Sequence, residues 1–362
     1  VLGLYLHLPF CAQHCTYCPF AISTDLALQD TYTDALVREI RSHGNATVDS
    51  IYLGGGTPSH TSLPNLTRVF DAIRTSFDVA PDAEISMESN PEDYEPGSVD
   101  AWRALGINRI SIGVQSFVDA ELAAISRIHD RARAIDAVRT AVARGARVNL
   151  DLMLGLPHQT AASFRESLDT ALDLGAGHLS LYMLDLEERT PLQVQVARGR
   201  VLLPEEELVA DLYVEAIERL AAAGLAQYEI SNFARAGQVC VHNLRYWTRS
   251  EYLGFGLGAH SFIGHQRYAN TRDIRKYIDT APEPRDFSED LGPDEIRRET
   301  IFLQLRQTRG MCYEELVRLC GEEGIAWTER GLEGGWLKRD EERVAFTPAG
   351  FLQSNEFISQ LF

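Results

Sequence analysis

From its start to about residue 225 the chain alternates between two kinds of segment. Short β-rich runs (LYLHL, VDSIYLG, AEISME, INRISIGV, ARVNLDLML, HLSLYML) are separated by stretches with helical apolar spacing, such as TYTDALVREIRSH, LPNLTRVFDAIRTSF, ARAIDAVRTAVARG and TAASFRESLDTALDLG. Parallel neighbours cannot be joined by a tight turn, so this alternation implies parallel strands with crossover helices. The runs read as almost continuously hydrophobic, the pattern of strands buried on both faces. Six such units predict an α/β fold, a partial (β/α)6 TIM-like barrel over residues 1–225, with a doubly wound open sheet as the rival. A strong helix, PEEELVADLYVEAIERLAAAGL, closes the unit, with Pro204 near its start and Gly224 at its end.

Residues 226–285 change character, being rich in aromatics, Asn, Gly and His, and are expected to form irregular sheet and loops. Residues 286–362 bring charged helices, a strand pair and a final helix, the outline of a winged-helix-like appendage. Its many Glu residues favour a structural or protein-contact role over DNA binding. The length of 362 residues suits this division.

The chain holds 34 Lys and Arg against 52 Asp and Glu, a net charge of −18. Such a surface repels phosphate backbones, so nucleic acid is a poor partner, and it also argues against simple adsorption on anionic lipid. No apolar run approaches the ~20 residues that span a bilayer. The opening VLGLYLHLPF lacks a basic n-region and a cleavage site, so it is not read as a signal peptide, and without an initiator Met the native N-terminus stays open. A cytoplasmic protein is expected, peripheral to a membrane only through a protein partner. Oligomeric state, a homodimer included, is left open.

Three of the six cysteines, Cys11, Cys15 and Cys18, crowd into the loop after the first strand. Such a triplet points to a metal or cluster site in a reducing compartment rather than to a disulfide framework. Three thiolates at this spacing can hold three irons of a [4Fe–4S] cluster and leave the fourth open to a ligand. A zinc site completed by His7 or His14, or three inert thiols, are the alternatives. In a (β/α) barrel the working residues sit at the C-terminal ends of strands. Here those ends carry Gly54-Gly55-Gly56-Thr57-Pro58, Glu88, Gln115, Asp151 and Tyr182. The glycines let backbone approach a ligand, and the carboxylates can accept from an amine or ribose hydroxyls, although each taken singly is equally a turn, a cap or a satisfied buried polar group.

YLHLPFCAQHCTYC, LGGGTP, SMESNP, SIGVQSF and NLDLMLGLPHQT together resemble the radical S-adenosylmethionine superfamily. The likeness is to the branch holding the oxygen-independent coproporphyrinogen III oxidases and the heme chaperones, and it covers nearly the whole chain. It implies that Cys11, Cys15 and Cys18 ligate a [4Fe–4S] cluster whose open iron binds S-adenosylmethionine, the sulfonium of which can be cleaved to a 5′-deoxyadenosyl radical. It implies further that Tyr5 and Tyr17 pack around the cofactor and that Gly55, Gly56 and Thr57 contact its methionine end. Glu88, Gln115, Arg127 and Asp151 would bind the rest of one or two cofactor molecules. Read alone, Arg127 is an exposed helix arginine.

Within this branch the oxidases carry a further cysteine two residues after the third cluster cysteine, where this chain has Phe20. They also carry an N-terminal extension, a difference that truncation of the chain would equally produce. HNLRYW, residues 242–247, resembles the HNxxYW signature of the heme chaperones, which implies heme at His242 with Asn243, Tyr246 and Trp247 nearby. Neutral imidazole ligates heme iron, and aromatic rings can flank a porphyrin face. Cys240 would share a face with His242 in an extended segment and His260 is a second candidate, while Cys312 and Cys320 read as packing. The resemblance thus implies a heme chaperone that passes heme to respiratory hemoproteins, the alternatives being oxidative decarboxylation of coproporphyrinogen propionates or another radical reaction on a tetrapyrrole.

Overall fold

A computed structural model describes residues 1–188 and 190–362. Six parallel strands form its centre in chain order: β1 (Leu2–Leu8), β2 (Thr47–Gly55), β3 (Asp78–Ser89), β4 (Arg109–Gln115), β5 (Arg147–Leu154) and β6 (His178–Met183). The crossovers carry α1 (Gln29–Ser42), α2 (Leu63–Ser76), α3 (Ser98–Ala104), α4 (Asp119–Ala124), α5 (Arg131–Ala143) and α6 (Ala161–Asp173). After α7 (Pro191–Ala197) comes the expected long helix, α8 (Glu206–Ala222), followed by Gly224 at φ +82°.

The strands are not hydrophobic throughout. Registered neighbours form polar rows: Ser50 with Glu84, then Tyr5, Tyr52, Ser86 and Arg109, then Glu88, Ser111, Asn149 and His178, and last Asp151 with Ser180. Their chain neighbours Ile51, Leu53, Met87, Ile110, Ile112, Leu150, Leu152, Leu179 and Leu181 face the helices and make the core. The period of two is thus present, with the apolar face turned outward and the polar face lining the barrel. Tyr52 of β2 and Tyr182 of β6 line the same small internal chamber, so the sheet curves until its distant strands face each other.

Residues after α8 extend this sheet at both edges instead of forming a loose region. On one side β8 (Asn232–Ala234) runs antiparallel to β6, with β7 (Ala226–Glu229) beyond it. On the other, β9 (Tyr252–Gly256) pairs parallel with β1 and is followed by β10 (His260–Ile263), β11 (Gln266–Asn270) and β12 (Arg285–Asp290), all antiparallel. Between the two sets, Val241–Trp247 is a helix, α9, and α10 (Ile274–Thr280) precedes β12. The sequence does not show this helix in HNLRYW because two helical turns are too short to show a period.

The C-terminal part holds α11 (Pro293–Leu305), α12 (Tyr313–Cys320), α13 (Glu322–Glu333), α14 (Pro348–Leu352) and α15 (Ser354–Ser359). Its sheet has three strands, because β13 (Met311–Cys312) joins the hairpin of β14 (Leu337–Arg339) and β15 (Arg343–Phe346). Trp327 centres this part, wholly buried between Phe346 and Phe357 with its indole N–H donated to the Phe357 carbonyl at 2.7 Å. Cys312 and Cys320, expected as packing, are only half-buried.

Candidate cofactor cleft

The loop after β1 is tied down by its own backbone. Phe10 is buried, the Cys11 N–H donates to the Ser23 carbonyl at 3.0 Å and the Ser23 N–H to the Pro9 carbonyl at 2.8 Å. The turn after β2 lies against it, with the Gly56 N–H on the Leu8 carbonyl at 3.0 Å and the Thr57 N–H on that of Phe10 at 2.9 Å. A Cβ on Gly56 would stand 2.5 Å from the Pro9 carbonyl, and one on Gly55, whose φ is +108°, 2.5 Å from the His7 ring. These glycines are required first by the protein's own close approach to β1.

Cys11, Cys15 and Cys18 line one cleft of about 460 Å³ at the C-terminal ends of the strands, a size suited to a small-molecule site. Tyr17, Gly55, Gly56, Thr57, Glu88, Gln115, Arg127 and Asp151 line it with them. Among the described residues no three His, Cys, Asp or Glu side chains gather closely enough to hold one metal ion. The histidines of the zinc alternative are engaged elsewhere: His7 Nε2 donates to the Ala21 carbonyl at 2.8 Å and Nδ1 accepts from Tyr5 at 3.2 Å, while His14 Nε2 donates to the Cys18 carbonyl at 3.0 Å. A cluster whose thiolates each take a different iron suits this arrangement better than zinc. Two donors already point at sulfur, Thr57 Oγ1 at 3.3 Å from Cys11 and Arg127 Nη1 at 3.7 Å from Cys15. Burial pushes the Cys11 thiol up to about 11 against the Thr57 hydrogen bond, so iron must displace a proton to bind there.

Arg127 is not an exposed helix arginine. It sits in the bend between α4 and α5, and its Nη2 donates to Asn90 Oδ1 at 2.6 Å and to the Gly113 carbonyl at 2.8 Å. Glu88 accepts the Tyr52 hydroxyl on Oε1 at 2.9 Å and the Gly55 N–H on Oε2 at 3.1 Å. Loss of water at the cleft floor nonetheless raises its carboxyl to about 7. Asp151 accepts from Ser111 at 3.0 Å and from Asn149 at 2.8 Å, and burial raises it too, outweighing these hydrogen bonds and that of Ser180. Two carboxyls poised in this way ionise when a cationic group arrives, which suits an ammonium or sulfonium ligand. Gln115 ends β4 in the left-handed region at φ +67°, where a non-glycine residue is strained.

Tyr5 is not part of the cleft wall. It lies lower in the barrel, its ring stacked on Tyr52 at 6.3 Å between centroids. Among the residues missed from sequence are Tyr52, Asn90 and Met153, all of which line the cleft. Tyr52 and Asn90 hold Glu88 and Arg127 in place. Their signal was the inward period-two polar row of β2 and the asparagine directly after β3.

His242 lies far from the cysteines along the strands. It is fully buried on α9, its Nδ1 3.1 Å from Ser50 Oγ low on β2 and its Nε2 2.9 Å from the Tyr246 hydroxyl. Both ring nitrogens are therefore engaged, and heme iron reaches neither while α9 stays seated. Cys240 does not offer an exposed thiolate beside it, being buried against Glu84 Oε1 at 3.4 Å and pushed up to about 12 by that burial. Asn243 lines the small chamber inside the barrel, Trp247 is half-buried, and His260 is exposed on β10.

Residues 5–171 match the family model of the radical SAM superfamily. The heme chaperone HemW of Mycobacterium tuberculosis is 36% identical to this chain over 99% of it and 94% of the relative, and that of Bacillus subtilis 35% over 97% of each. Among solved structures, the radical SAM enzyme coproporphyrinogen III oxidase (HemN) of Escherichia coli superposes with a TM-score of 0.86 at 25% identity, covering 99% of this chain and 89% of that one. With a cysteine loop, glycine turn and strand-end carboxylates converging on one cleft, and with relatives that match from end to end, this chain belongs to the radical SAM superfamily and, within it, to the HemW family.

Proposed function

We propose that this chain is a heme chaperone, taking up heme at the mouth of the cluster cleft and passing it to apo-hemoproteins. The observation that carries this reading is the apolar lip of the cleft, where Phe20 is 64% and Ile128 51% exposed. Large apolar side chains left in water at a cleft mouth await an apolar face, and a porphyrin is one. Phe20 also occupies the position at which the oxidase branch has its additional cysteine, and the full-length relatives bear the name heme chaperone. Acceptor contact through protein rather than lipid fits the net charge of −18.

Cys11, Cys15 and Cys18 would hold the [4Fe–4S] cluster, and a reduced cluster with S-adenosylmethionine on its open iron supplies one-electron cleavage of a sulfonium. The protein's own part is to bind and orient. Thr57 and Arg127 donate toward the sulfurs of Cys11 and Cys15, Gly55 to Thr57 bring backbone beside the cysteine loop, and Glu88 and Asp151 would receive positive charge. Gln115 and Tyr17 line the remaining walls, and His242 stays outside this set.

Heme titration of the anaerobically reconstituted chain, followed by its Soret band, tests the reading. Wild type takes up heme saturably. A Phe20→Asp, Ile128→Asp variant binds at least about tenfold more weakly, since burying one such side chain contributes ~1.5–3 kcal/mol. Equal uptake by both contradicts docking at the lip. The likeness to the coproporphyrinogen oxidase fold favours a second reading, oxidation of coproporphyrinogen propionates in the same cleft. Anaerobic incubation with reductant, S-adenosylmethionine and coproporphyrinogen III separates the two.

A further inference from the structure

The HNLRYW helix closes the end of the barrel opposite the cysteines. Besides the contacts of His242, Arg245 Nε donates to Ser50 Oγ at 2.8 Å and its Nη2 pairs with Asp49, both on β2. The His242 N–H donates to Glu84 Oε1, low on β3, at 3.2 Å, and the Arg109 Nη1, low on β4, donates to the Gln238 carbonyl at 2.9 Å. α9 and the turn before it are thus bonded to three strands. His242, Glu84 and Arg109 are each less than one-tenth exposed.

From this stopper a column of rings rises toward the cleft. The His242 ring stacks on Tyr52 at 5.4 Å between centroids and 27° between planes, and Tyr5 stacks on Tyr52 at 6.3 Å and 20°. Tyr246 meets His242 edge-on at 5.2 Å and Tyr252 edge-on at 4.8 Å. At the top of the column the Tyr52 hydroxyl donates to Glu88 Oε1 at 2.9 Å. A tyrosine ring held by stacking presents its hydroxyl in one direction only, and among the described residues Glu88 has the Gly55 N–H as its one other donor. Stacked aromatic pairs contribute enough to fix such an orientation.

We infer that His242 is a positioning residue, holding Tyr52 against Glu88 from beneath and so setting the carboxylate that faces the S-adenosylmethionine cleft. This rests on the reading that the cleft binds S-adenosylmethionine. It gives the HNxxYW motif a task within the barrel: His242 and Tyr246 brace the column, and Arg245 locks the helix to β2.

The test uses the anaerobically reconstituted full chain and two readouts: the dissociation constant for S-adenosylmethionine, and the change that this ligand causes in the electron paramagnetic resonance spectrum of the reduced cluster. Wild type must first bind S-adenosylmethionine; if it does not, the reading of the cleft falls before the inference is reached. Tyr52→Phe, which keeps the ring and removes the donor, is expected to weaken binding about tenfold with the cluster loaded. His242→Ala, which removes the stack, is expected to do the same, and His242→Phe, which keeps a stacking ring, to stay within threefold of wild type. In the double variant Tyr52→Phe, His242→Ala the effects are expected not to add, because both act through one hydrogen bond. Additive losses, or full affinity and an unchanged spectrum in a folded His242→Ala protein, overturn the inference. Should His242→Ala fail to fold, His242→Phe still decides: affinity near wild type with full heme uptake supports positioning, and heme uptake lost with S-adenosylmethionine binding intact restores the histidine as an iron ligand.

Discussion

The hydroxyl of Thr57 donates to the sulfur of Cys11 across 3.3 Å, while its oxygen accepts the side-chain N–H of Asn90 at 3.0 Å. Asn90 in turn accepts from Arg127 at 2.6 Å. One chain of donors therefore runs from the bend after α4, through the loop after β3, to Cys11, the first of the three cysteines. Hydrogen bonds to cluster sulfurs raise the reduction potential. Thr57→Val removes one and is expected to lower the potential of the reconstituted cluster, a bond to a charged sulfur being worth about 1.5–3 kcal/mol. Potentiometric titration read by electron paramagnetic resonance checks this, and an unchanged or higher potential would count against it.

Arg127→Met cuts the same chain at its other end. With the cluster assembled, it is expected to bind S-adenosylmethionine at least about tenfold more weakly, the loss of one charge-assisted hydrogen bond. Arg127→Lys should recover only part of this, because an ammonium cannot match the fork that spans Asn90, Gly113 and Cys15. Calorimetric titration of the two variants beside wild type decides; full recovery by Lys would reduce the role to simple charge.

Glu88, Glu39 and Glu229 are each raised to about 7 by burial. Between about pH 4.3, where an ordinary glutamate ionises, and pH 7 the folded chain keeps protons that the unfolded chain releases, so stability falls as pH rises through this window. Glu88→Gln removes one of these groups. Without added ligand, the variant is expected to be more stable than wild type at pH 8, on the order of 2 kcal/mol, and nearly equal to it at pH 4.5. Urea unfolding at the two pH values measures the difference, and identical profiles would show that Glu88 titrates normally.

The fold was legible in the alternation of strands and helices, and the gathering of Cys11, Cys15 and Cys18 at one cleft in their crowding directly after β1. The strand-end residues Glu88, Gln115 and Asp151 were legible because a parallel barrel gathers such ends on one face. The polar interior was overlooked because a run such as VDSIYLG contains enough apolar residues to look buried throughout, although Ser50 and Tyr52 alternate with Ile51 and Leu53. Arg127 was obscure because sequence does not show that α4 ends at Ala124, which turns the residue inward. His242 was the hardest, since the same imidazole and aromatics suit both a porphyrin and a stacked column, and the sequence does not show that α9 seats against β2 and β3.

Gly56 has no room for a side chain. An alanine Cβ there meets the Pro9 backbone at 2.5 Å, and neither segment can yield without moving the cysteine loop. Gly56→Ala is expected to fold with a lowered melting temperature and to retain less than half the iron of wild type after reconstitution, overpacking of this kind costing about 1–3 kcal/mol. Iron analysis paired with thermal unfolding checks both halves.

Heme transfer tests the proposed function most directly. The reconstituted chain is loaded with heme, freed of excess and mixed with an apo-hemoprotein while the Soret band is followed. The account predicts that heme leaves the chain and appears in the acceptor, and that the same preparation yields no protoporphyrinogen from coproporphyrinogen III. Failure to take up heme, together with turnover of coproporphyrinogen, would contradict it.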